Sequence, residues 1–120
     1  MPDLGTVNEG ATALYTAILK DETGAVIDGT ALDSLTLTAY DQASGTILNS
    51  RNAQNVKNAN GVTITAQGVL SWTLAPADNA IVGSAAIERH VALFRATWAS
   101  GLKQCPHELT WHVRNLTKMP

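Results

Sequence analysis

One stretch constrains the fold more than any other, the run Gly68-Val69-Leu70-Ser71-Trp72-Thr73-Leu74-Ala75-Pro76-Ala77-Asp78-Asn79-Ala80-Ile81. Leu70, Trp72 and Leu74 recur at period two with Ser71 and Thr73 between them, which is the pattern of a strand with one apolar and one polar face. Pro76 ends the alternation and suits the first position of a helical turn, where its missing N–H costs nothing. Asp78 and Asn79 follow in that first turn, where short polar side chains meet free N–H groups. The spacing therefore predicts a strand and then one short helical turn near residues 76–81. The alternation resumes over His90 to Trp98, with Ala92, Phe94, Ala96 and Trp98 on one face and Val91, Leu93, Arg95 and Thr97 on the other. A strand, a helical corner and a second strand carry a chain from one sheet to the next. Trp72, Pro76 and Asp78 are expected to build that corner as scaffold.

The rest of the chain repeats the pattern. From Thr12 to Lys20, Ala13, Tyr15, Ala17 and Leu19 alternate with Thr12, Leu14, Thr16 and Ile18, so both faces are partly apolar. Asp21 to Gly24 reads as a turn and Ala25 to Ile27 as its short returning strand. Leu35, Leu37 and Ala39 point inward in a strand that ends at Tyr40, and Thr46 to Leu48 closes a hairpin after Gln42 to Gly45. Asn49 to Gly61 holds five asparagines and reads as loop, with a short helical piece over 52–56 as the alternative. Val62 to Thr65 is a strand, Ala85 to Glu88 belongs either to the corner loop or to the next strand, and Glu108 to Arg114 is the last strand. The turn signals, about every 8–12 residues, predict an all-β domain of seven or eight short antiparallel strands. Immunoglobulin-like and jelly-roll order both fit the pattern, and the immunoglobulin-like β-sandwich is the expected one. One domain, residues 11–116, is expected between an N-terminal arm, 1–10, and a C-terminal tail, 117–120.

Composition narrows the function. Charged residues make up 15% of the 120 residues and the net charge is −2. Without a basic patch, nucleic acid is not an expected partner. No apolar run reaches the roughly 20 residues of a membrane-spanning helix, and the first residues lack the pattern of a secretory leader. No membrane partner is expected, and the chain is expected to be made in a host cytoplasm. The single cysteine, Cys105, leaves no intrachain disulfide.

The residues with ligand chemistry are Cys105, His107, His112 and His90. A zinc set wants two ligand pairs at short spacing, and only one cysteine is present. His107 and His112 lie five positions apart, on opposite faces of a strand. Pro106 suggests a turn between Cys105 and His107, and no third residue orients them as a nucleophilic pair. The scattered carboxylates show no paired acid–base spacing, and no glycine run forms a phosphate loop. No catalytic residue, metal or cofactor is expected.

Several segments together resemble a known group of proteins. Leu4-Gly5-Thr6-Val7-Asn8-Glu9-Gly10 leads into a Thr-rich strand and then Lys20-Asp21-Glu22-Thr23-Gly24-Ala25-Val26. Leu74 to Ile81 precedes Glu88-Arg89-His90-Val91, and Val113-Arg114-Asn115-Leu116 closes the order. This arrangement resembles small immunoglobulin-like structural proteins of tailed bacteriophage virions, and is similar to the N-terminal sandwich of phage baseplate upper proteins. The resemblance implies a non-enzymatic virion protein present in many copies. A capsid decoration or cement protein on the major capsid protein is the leading expectation, the alternatives being a neck, tail or baseplate component and a carbohydrate- or host-receptor-binding sandwich. Homo-oligomers or contacts with other virion proteins are expected, with Leu4, Val7, Tyr40, Asn55, Val56 and Asn58 as candidate partner contacts.

Overall fold

The computed structural model describes residues 3–116. The chain forms β1 (Asp3–Asn8), β2 (Ala13–Ile18), β3 (Ser34–Asp41), β4 (Gln54–Asn55), β5 (Val62–Ile64), β6 (Val69–Leu74), β7 (Ile87–Trp98) and β8 (Lys103–Arg114). Two sheets result, one ordered β1-β8-β7-β3-β4 and the other β2-β6-β5. The domain is an all-β sandwich.

Alternation dictates the core. Leu35, Leu37 and Ala39 of β3, Ala92, Phe94 and Ala96 of β7, and Leu109, Trp111 and Val113 of β8 are buried, as are Leu70, Trp72 and Leu74 of β6. Trp72 stands edge-on to both Phe94 and Trp111, with ring centroids 5.5 Å apart in each pair. Such pairs contribute about 0.5–1.5 kcal/mol beyond the apolar area they bury. The three rings join the sheets at mid-domain.

Residues 3–8 are not an arm. β1 pairs with β8, and this pairing is parallel although the alternation suggested antiparallel strands throughout. A register shift falls between Asp3 and Thr6, where Gly5 takes φ 101°. Leu4 and Val7 are half-buried against the core, so the apolar residues of this segment serve packing within the domain. The expected tail, 117–120, lies outside the described residues.

The corner is shorter than expected. Pro76–Asn79 forms a 3-10 turn, and Ala80 is already extended at φ −77°, ψ 142°. Residues 52–56 contain the two-residue strand β4 and no helical piece. β8 begins at Lys103, so Cys105, Pro106 and His107 lie within a strand, where Pro106 stands opposite Arg95.

Candidate functional site

Three places concentrate polar groups. The first is the corner. Asp78 is fully buried, and its carboxylate accepts from Arg51 Nε at 2.5 Å and Nη2 at 3.0 Å. It also accepts from Asn49 Nδ2 at 3.1 Å and from the Ala75 backbone N–H at 2.7 Å. The bidentate fork suits a planar guanidinium, and Arg51 also lies over the Trp72 ring, 5.6 Å from its centroid. Arg51 donates further to Gln54 Oε1 and to the Asn60 carbonyl. Asn79, equally buried, accepts from Trp111 Nε1 at 2.8 Å and donates to the Ala11 carbonyl at 2.7 Å. The polar corner thus ties the Asn49–Gly61 loop, the core and the start of β2 together. Every strong acceptor here is taken by a structural partner.

The second place is where β2 lies over β8. Tyr15 Oη and His107 Nε2 are 2.6 Å apart. Burial pushes the Tyr15 hydroxyl up from its ordinary pKa and pulls the His107 imidazole down. Both shifts favour the neutral forms, and the two groups share one hydrogen bond. Burial, and after it the charge of Asp21, raises the Cys105 thiol, which faces the Lys20 carbonyl at 3.5 Å. A raised thiol pKa disfavours the thiolate. Cys105 and His107 share a face without a hydrogen bond between them, each held by a different group.

The third place lies at the end of the larger sheet. Asp41 of β3 stands directly opposite His90 of β7, and Glu88 is two residues along the same face. All three are buried. His90 Nε2 is 3.0 Å from Glu88 Oε1 and 3.9 Å from Asp41 Oδ1. Glu88 also accepts from the backbone N–H groups of Val82 at 2.9 Å and Gly83 at 2.6 Å. Its pKa is lowered: desolvation opposes ionisation, but the two backbone donors and His90 outweigh it. Asp41 Oδ2 accepts from the Ser44 backbone N–H and hydroxyl.

The surface supplies a different feature. β2 is an edge strand of the smaller sheet. Its six residues, Ala13–Ile18, include no charge, no proline and no register shift against β6. Leu14 and Ile18 point away from the core and are 62% and 58% exposed. Natural edges are commonly blunted by lysine, proline or a bulge. β1 has such a bulge beside Gly5; β2 has none of these.

The expected contact residues divide. Val56 is fully buried in the core and is not a surface contact, because β4 turns it inward beside Leu35, whose carbonyl accepts its N–H. Leu4 and Val7 are half-buried, as above. Tyr40 is half-buried on the outer face of β3, where it pairs with Val91. Asn55 and Asn58 are exposed, but their side chains close local turns by accepting from Lys57 and Ile64 backbone N–H groups. Sequence reasoning singled out His90 without Asp41 or Glu88. The period of β7 puts Glu88 in phase with His90, whereas the pairing with Asp41 depends on a register between strands about fifty residues apart in the chain, consistent with the larger number of non-local pairings in β-proteins. The β2 edge was signalled only by the apolar residues on both of its faces.

Comparison with known proteins finds no matching family model, no matching curated protein and no matching solved structure.

Proposed function

We propose that this chain is a non-enzymatic, multi-copy structural protein of a tailed-phage virion that decorates the capsid by docking on the major capsid protein. The single observation that carries the docking mode is the free, uncharged β2 edge with Leu14 and Ile18 exposed beside it. An added strand would satisfy the unpaired backbone groups of Ala13–Ile18, and the two apolar side chains would add area and register. The low charge of the surface favours close, repeated contacts over steered, transient ones.

The strand order supports an immunoglobulin-like reading. In spatial order, β8-β7-β3-β4 corresponds to the G-F-C-C′ sheet of a variable-type domain, and β2-β6-β5 to its B-E-D strands. The inter-sheet disulfide of antibody domains has no counterpart in a chain with one cysteine. The Phe94–Trp72–Trp111 cluster fills that place between the sheets.

Quantitative mass spectrometry of purified particles tests the reading. Hundreds of copies per particle are expected. About six to twelve would move the protein to the neck or tail, and none would end the virion reading. The double variant Leu14→Lys/Ile18→Lys tests the edge itself. It alters exposed positions, so its stability should stay within about 0.5 kcal/mol for each substitution, while particle occupancy falls at least tenfold. Normal occupancy would refute the β2 docking mode.

A further inference from the structure

We propose that Asp41, Glu88 and His90 form a binding site for a first-row divalent cation of the Zn²⁺ class. The sheet builds the donor set directly. Cross-strand pairing sets Asp41 against His90, and the strand period adds Glu88 on the same face. One oxygen or nitrogen from each residue lies within 4.8 Å of the other two. Two ligands about 2.1 Å from one metal stand about 3.0–3.4 Å apart. The observed 3.0 Å between His90 and Glu88 lies in that range, and Asp41 Oδ1, 3.9 Å from His90, would have to move closer to complete the set.

Charge supplies the second argument. Two buried carboxylates face one imidazole, and among the described residues no lysine or arginine forms an ion pair with either acid. A proton on His90 would offset one negative charge, whereas a divalent cation on a neutral imidazole offsets both. Access supplies the third. Asp41 and Glu88 also line a groove of about 470 Å³ between the Gln42–Ser44 turn and the Gly83–Ile87 loop. That groove gives an ion a route to the two carboxylates, His90 being fully buried.

One imidazole and two carboxylates suit Zn²⁺, Co²⁺ or Mn²⁺ better than Ca²⁺, which takes 6–8 oxygen ligands. Coordination through Nε2 puts the imidazole proton on Nδ1, which is buried and has no hydrogen-bond partner. Missing outer-sphere support of this kind weakens metal sites about 10–100-fold. The site is therefore expected to bind in the micromolar range. Bound metal would clamp the Gly83–Ile87 loop, through Glu88, onto the hairpin after β3.

The test is titration of chelator-treated, full-length protein with Zn²⁺ alone, followed by calorimetry, and with Co²⁺, followed by its visible ligand-field absorption. One equivalent should bind. Asp41→Asn and Glu88→Gln should each weaken binding at least tenfold, and Cys105→Ser should leave it unchanged. In the wild-type protein, ¹⁵N chemical shifts should show Zn²⁺ on Nε2 of His90, a readout that stands if a variant fails to fold. No binding at millimolar Zn²⁺, binding retained in both carboxylate variants, or binding lost in Cys105→Ser would overturn the proposal.

Discussion

Replacing Asp78 by alanine tests the physics of the corner most sharply. Arg51 is almost fully buried and would keep its charge while losing the bidentate carboxylate. Removing one partner of a buried ion pair costs about 3–5 kcal/mol, because the other charge stays behind without compensation. The Ala75 N–H would lose its acceptor too, at a cost of about 1 kcal/mol. For a domain of this length each kcal/mol shifts Tm by about 4 °C, so Asp78→Ala should melt about 16–24 °C lower. A 120-residue domain has a total stability of roughly 6–18 kcal/mol, so anywhere above the lowest part of that range the variant stays folded and measurable. Urea denaturation should show a lower midpoint with an unchanged slope. The double variant Arg51→Met/Asp78→Leu should recover most of the loss, since apolar residues of similar volume replace a buried pair at little cost. A loss below about 1 kcal/mol in Asp78→Ala, or strict additivity of the single variants Arg51→Met and Asp78→Leu in the double variant, would refute the claim that the pair acts as a unit.

Two other perturbations follow from the geometry. Gly68 has φ +75°, and a Cβ there would stand 2.8 Å from the Ile27 carbonyl oxygen and 2.9 Å from that of Leu19, whereas Gly45, at φ +74°, has open space around it. Gly68→Ala should destabilise by more than Gly45→Ala, which carries only the backbone strain of about 1 kcal/mol, and thermal unfolding of the two checks it; equal losses would contradict the close approach. His107, depressed by burial, should titrate below its ordinary value of 6.5 in a pH series of NMR spectra. Because its folded pKa lies below the unfolded one, the stability it contributes is complete above pH 6.5 and is lost as the pH falls through the folded value. Tyr15→Phe should leave that depression largely in place, since desolvation is its cause.

Local pattern carried the strands and the core but not their partners. Leu70, Trp72 and Leu74 declared their inward face, as did Leu109, Trp111 and Val113, because side-chain direction in a strand depends only on position. Asp78 was legible as a corner residue. Its partner Arg51 was not, because nothing in an asparagine-rich loop marks one arginine for the core. The segment Asp3–Asn8 looked like an arm because its sequence is polar with two half-buried apolar residues, and its order comes from pairing with β8 at the far end of the chain. Val56 was misplaced for the same reason: β4 is only two residues long, too short to show a period. Asp41 and Glu88 join His90 only through the register of β3 on β7.

The docking of β2 is the central claim, and a high-resolution map of assembled particles tests it most directly. The account predicts main-chain hydrogen bonds between Ala13–Ile18 and a strand of a neighbouring protein, with Leu14 and Ile18 covered. A map in which β2 faces solvent while another surface meets the neighbour would contradict it.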